Sequence, residues 1–312
     1  MTTKLLLDVD PGNDDAIALF IALAAEDIDL VGVTTVAGNT TIENATQNTL
    51  SLLDLVDRTD VPVAKGAERP FADELVTAEH VHGPDGLPEV VQDRLRESTT
   101  EPIDQHAVDF IIEQADKHGN DLVIAALGPQ TNLALAIAKD PSLPATVADI
   151  YQMGGALKTT GNVTPQASFN FYVDAASAAR VVQDARPKVV GLDVTEHVYV
   201  DTEAVRSLAE QPSPLPTMAA MLEFSIEEVR SKFGHDGSLA SDAVVLADVV
   251  NNALEFEEAF IRIDTSGDPS NGTTIYDEHG VYEQPPNCEV ALGVDGDVYQ
   301  QTVLNSLQTF VD

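Results

Sequence analysis

The stretch Asp8-Val9-Asp10-Pro11-Gly12-Asn13-Asp14-Asp15 puts four carboxylates into eight residues and runs directly into AIALFIALAA. An apolar run precedes it and an apolar helix-like pattern follows, so the acids stand where a core begins. Carboxylates in that setting can cap a helix, hold a cation or move protons. Capping covers part of the pattern: Asn13 or Asp14 can accept from the free amides of a first helical turn, a contribution of about 0.5–2 kcal/mol. It does not cover Asp8, Asp10 and Asp15 converging as well, because carboxylates packed so closely repel and raise one another's pKa. A divalent cation removes the conflict, and calcium takes roughly six to eight oxygens from carboxylates, carbonyls and water. Metal binding, and capping with solvation, are the two readings these residues leave open.

The elements that must position these acids alternate in type. KLLLDVD, IDLVGVTTVAG, VPVAKG, DLVIAALG, ADIYQMGG and PKVVGLDVT read as strands, with helical patterns between them such as IENATQNTLSLLDLV and HAVDFIIEQADKHG. Continuous apolar runs predict strands buried on both faces, hence an α/β fold with a mostly parallel central sheet flanked by helices. Residues 216–254 read as mainly helical, followed by small antiparallel strands near the C-terminus. No linker divides the chain, so residues 1–312 are expected to form one domain. Ligands of such sheets gather at the carboxyl ends of the strands, which places loops 10–15, 38–40, 82–86, 127–132 and 154–170 together. No Gly-x-Gly-x-x-Gly or Walker A sequence occurs, which speaks against nucleotide phosphate binding by those routes. An Asp-x-Asp also opens the haloacid-dehalogenase phosphatases, but the Gly12 that follows departs from the Thr or Val their pattern wants.

Asp and Glu number 52 against 16 Lys and Arg, a formal charge of −36. That field repels nucleic acid and anionic membrane surfaces. Scattered acids, few lysines and no Trp resemble proteins of salt-loving archaea, where dissolved salt screens the self-repulsion. The lone Cys288 forms no internal disulfide, and neither a signal-peptide core nor a run of 18 apolar residues is present, so a cytoplasmic location is expected.

DVDPGNDDA resembles the N-terminal signature of the calcium-dependent, inosine-uridine-preferring nucleoside hydrolases, Asp-x-Asp-Pro-Gly-x-Asp-Asp-Ala. TTVAGNT at 34–40, HGPDGL at 82–87, ALGPQTNLALA at 126–136, MGGALKTTGNVTPQASFNFYVDAASA at 153–178 and SDAVVLA at 241–247 resemble further segments of that family, in its order. The resemblance implies cleavage of the N-glycosidic bond of ribonucleosides to ribose and base by a calcium-bound water activated by Asp10. It implies metal ligation by Asp10, Asp15, the Leu127 carbonyl and Asp242, with Asp8 behind them. It implies ribose binding by Asp14, Asn39, Asn162 and Asn170, and His82 near the base. It also implies assembly as a dimer or tetramer.

Two positions depart from the family. Ser168 stands where many members carry a Glu for the outer ribose hydroxyls, and Ser241 stands where many carry a His that protonates the leaving base. A serine hydroxyl is too weak an acid for that task at neutral pH, which leaves His82 or His235 as candidate donors. His80 reads as a loop neighbour and Phe169 as a core aromatic. Two alternatives stay open: a ribose- or nucleoside-binding protein with reduced or lost catalysis, and a hydrolase of a modified or cationic N-riboside.

Overall fold

The computed structural model describes residues 2–311, with the side chains of His80 and Pro84 outside the described set. Its central sheet contains β1 (Thr3–Val9), β2 (Ile28–Thr35), β3 (Val63–Lys65), β4 (Leu122–Ala126), β5 (Asp149–Met153), β6 (Lys188–Val190), β7 (Leu254–Ala259) and β8 (Cys288–Val294). The spatial order is β3-β2-β1-β4-β5-β6-β8-β7. Every neighbouring pair is parallel except β7 with β8. Outside the sheet, Ile261–Ile263 pairs antiparallel with Thr274–Tyr276, as the C-terminal pattern predicts.

The apolar run of β1 is continuous because both of its faces are covered. Leu5, Leu7 and Val9 join one core cluster, and Leu6 joins another on the opposite face. Helix α1 (Asn13–Ala24) follows β1 and is buried without interruption from Asp15 to Ala22. It packs against the helices Ser241–Asn251 and Gly296–Gln308, so a late segment of the chain is brought to its first helix. Among the described residues no helix is long and apolar enough to cross a membrane.

The strand order reverses between β1 and β4: from β1 the chain builds outward to β2 and β3, and from β4 outward to β5 and β6. Asp8 registers against Ala126 across this junction. The residues just past the two strands, Asp10 and Leu127, therefore open onto the same crevice, the position where open α/β sheets bind ligands.

Candidate active site

The turn after β1 is organised by Asp15. Its carboxylate accepts from Gly12 N–H at 3.0 Å and from Asp10 N–H at 3.3 Å, closing the start of α1 three residues after its N-cap. The cap expected from Asn13 or Asp14 is thus made by Asp15. It is the residue three positions into the helix that can reach back to the cap amide. Asp14 Oδ1 is buried and makes no hydrogen bond, and the His82 ring lies 3.9 Å from it.

Asp10 is fixed from two sides. Asn39 N–H donates to its Oδ2 at 2.6 Å. A Cβ on Gly38 would stand 2.1 Å from Asp10 Oδ2, and one on Gly128 would stand 2.5 Å from Oδ1. Asp242 enters from the first turn of its helix beside Asp15. Carboxylate oxygens of Asp14, Asp15 and Asp242 lie within 4.8 Å of one another.

Burial is the largest cause of the upward pKa shift at Asp10, Asp15 and Asp242, and neighbouring carboxylates add to it. Asp15 is raised to about 7 by burial and then by Asp14; Asp10 and Asp242 are held well above the ordinary carboxylate range. Among the described residues no lysine or arginine pairs with any of the three. Asp8 stands apart from this group. It is fully buried, accepts from Thr34 Oγ1 at 2.5 Å and from Asn132 Nδ2 at 2.8 Å, and burial raises it to about 6. Its backbone carbonyl accepts from Leu127 N–H at 2.8 Å, so Asp8 also positions the Leu127 turn, while its carboxylate adds to the upward shift of Asp10.

A cleft opens above the cluster. Asp10, Asp14, Asn39, His82, Leu127, Asn162, Ser168, Asn170 and Asp242 all line it, and Asp15 supports it from beneath. Asn170 Nδ2 donates to the Leu127 carbonyl at 2.5 Å and to the Met153 carbonyl at 3.3 Å, tying the ends of β4 and β5 together. Asn162 Oδ1 accepts from Phe169 N–H at 2.9 Å, and Ser168 Oγ accepts from Gly155 N–H at 2.7 Å. Both polar groups thus shape their loops as well as facing the cleft.

Several assignments change. Phe169 lines the cleft and is only half-buried; Phe171 is the core aromatic of that segment. His235 is exposed and stacks on Tyr199 with ring centroids 4.6 Å apart, and it does not line the cleft. His80 lies outside the described residues. The lining also includes Ala78, Val81, Met153, Val163 and Leu192. Their apolar types carry no chemical signal, and of these only Met153, closing a strand before Gly154-Gly155, stood at a position where a strand end could be read.

The donor set at the floor of the cleft consists of carboxylate oxygens that lie close together, and among the described residues no lysine or arginine pairs with them. That is the chemistry a hard divalent cation requires. The raised pKa values of Asp10, Asp15 and Asp242 follow from that crowding together with burial.

A sequence profile of the "Inosine-uridine preferring nucleoside hydrolase" family matches residues 5–301. The chain is 37% identical over 301 residues, 95% of both chains, to the pyrimidine-specific ribonucleoside hydrolase RihA of Escherichia coli K12. Its fold is similar to the plant nucleoside hydrolase PpNRh1, with a TM-score of 0.89, 29% identity and coverage of 98% and 99% of the two chains. It is equally similar to a purine-preferring ribonucleoside hydrolase from Gardnerella vaginalis, with a TM-score of 0.89, 29% identity and 98% coverage of each chain.

Proposed function

Because the chain belongs to the inosine-uridine preferring nucleoside hydrolase family and is an N-ribohydrolase, we propose that it hydrolyses ribonucleosides with calcium bound, pyrimidine ribonucleosides foremost. The observation that carries this reading is the gathering of Asp10, Asp14, Asp15 and Asp242 beneath a cleft lined by Asn39 and Asn170. The 37% identity to pyrimidine-specific relatives supports the base preference.

Asp10, Asp15, Asp242 and the Leu127 carbonyl would hold the calcium. Bound there, the ion neutralises the carboxylates and lowers the pKa of a neighbouring water. Asp10, oriented by Asn39 N–H and boxed in by Gly38 and Gly128, accepts the proton of the attacking water. Asp14, Asn39, Asn162 and Asn170 hold the ribose hydroxyls; amides suit this because they both donate and accept. The negative field of the acids favours the oxocarbenium character that builds on the sugar. Ser168 is committed to the Gly155 amide and is shorter than a Glu, so it leaves more room at the outer end of the ribose.

The acid surplus fits a salt-rich cytoplasm, and by family resemblance the protein assembles as a dimer or tetramer. A reducing-sugar assay with uridine, cytidine and inosine, in calcium and high salt, tests the reading. Release of ribose with uridine or cytidine ahead of inosine is expected; release from none of them overturns it.

A further inference from the structure

Past Ser241 the cleft continues into a second space, bounded by Leu192, Glu196, Phe224, Lys232, Phe233 and Ser241. The two spaces share Asp14, His82, Asn162 and Ser241, so a ligand whose ribose sits over the acids can extend its base into the second. Phe224, 44% exposed, and Phe233 offer aromatic surface to a planar ring there. The polar feature is an ion pair, with Lys232 Nζ 3.4 Å from Glu196 Oε1.

This pair is built differently from the surface ion pairs. The Glu196 side chain is only 11% exposed, while Lys232 is 43% exposed and its ammonium lies 5.0 Å from the Phe233 ring centre. Glu196 is fixed through its backbone as well: Tyr199 Oη donates to its carbonyl at 2.5 Å. Burial pushes the Glu196 carboxyl upward and Glu228 adds to this, while Lys232, and to a smaller extent His197, work against it. Among the described residues, Lys232 is the one Lys or Arg that lines either space.

The electrostatics give that lysine a task. Four carboxylates at the sugar end carry more charge than one divalent cation offsets, so they favour a cationic sugar and oppose an anion departing from it. When the C1′–N bond of a pyrimidine riboside breaks, its electron pair goes to the ring and spreads onto the ring oxygens. Ser241 cannot donate a proton to that anion at neutral pH. Resting on the hydrolase reading above, we propose that Lys232, positioned by Glu196, is the catalytic residue that takes up the charge of the departing base. Water forms the new C1′–O bond and passes one proton to Asp10. The base anion receives one proton from Lys232 or, under its hydrogen bond, from solvent. Asp10 and Lys232 then exchange protons with solvent, and the products are ribose and neutral base.

The experiment compares uridine with 4-nitrophenyl β-D-riboside, whose leaving group departs as a stable anion without help. Lys232→Met is expected to lower kcat for uridine by about 10²-fold and to change the aryl riboside less than about threefold. Lys232→Arg should recover most of the uridine rate, and Glu196→Gln should reproduce the selective loss. Equal losses on both substrates, or none on uridine, overturn the assignment of Lys232 while leaving the hydrolase reading standing. A wild-type protein that cleaves neither substrate overturns both.

Discussion

Asp10 answers to two opposing demands. The proposed role as proton acceptor needs it ionised, while burial and the charges of Asp15, Asp14 and Asp8 favour its protonated form. Asp10→Asn removes the proton acceptor, so turnover should fall by about 10²–10⁴-fold in a steady-state assay. The same change relieves repulsion, so in calorimetry at pH 8 the metal-free variant should melt at or above the wild-type temperature. The raised carboxyls also set a pH dependence with a definite sign. Asp15 near 7 and Asp8 near 6 in the folded chain, against an ordinary value of 3.8, mean that the folded state binds more protons than the unfolded one. Metal-free stability is therefore greatest below about pH 4 for these groups and is lost as pH rises toward 7. Denaturant unfolding in chelator and high salt, where surface charge is screened, should show this decline, and Asp15→Asn should flatten it. The acidic run was legible as a cluster because spacing alone makes it unusual. Which acid caps the helix was not, since spacing does not reveal that Asp15 turns back to Gly12 while Asp14 faces the cleft.

Among the elements, the strand-to-helix turns hold the site, and two of them are packed to contact. Gly38 and Gly128 leave no room for a methyl group beside the Asp10 carboxylate. Gly128→Ala should displace Asp10 and lower kcat/KM by at least about tenfold with an unchanged circular dichroism spectrum, because the crowding falls on two side chains, Asp10 and Val36, and not on the backbone. Ser168→Ala removes the acceptor of the buried Gly155 amide and should destabilise the fold by about 1–3 kcal/mol in denaturant titration. The parallel strands could be read in advance because burial on both faces writes continuous apolar runs. The arrival of Asp242 beside Asp15 could not be read from pattern. It depends on the packing of the Ser241–Asn251 helix against α1, a tertiary event signalled only by the family-like SDAVVLA segment. The chamber around Glu196 and Lys232 was equally hidden, because its walls come from separate helices and its residue types are ordinary on a surface.

Over the whole molecule, a charge of −36 on 312 residues acts against compactness. Raising potassium chloride from about 0.1 M to 2 M shortens the Debye length from about 10 Å to below 3 Å, so the melting temperature should rise with salt. A melting temperature that is flat or falling over that range would contradict the salt-rich setting. Among the described residues Asp10, Asp15 and Asp242 have no lysine or arginine partner, and one ion is proposed to join Asp10 and Asp15 to Asp242 from the far end of the sequence. The direct test is ribose release from uridine by protein stripped with chelator and then titrated with calcium. The stripped enzyme should be inactive, and activity should return saturably with one calcium per chain; full turnover by the stripped enzyme would contradict the account.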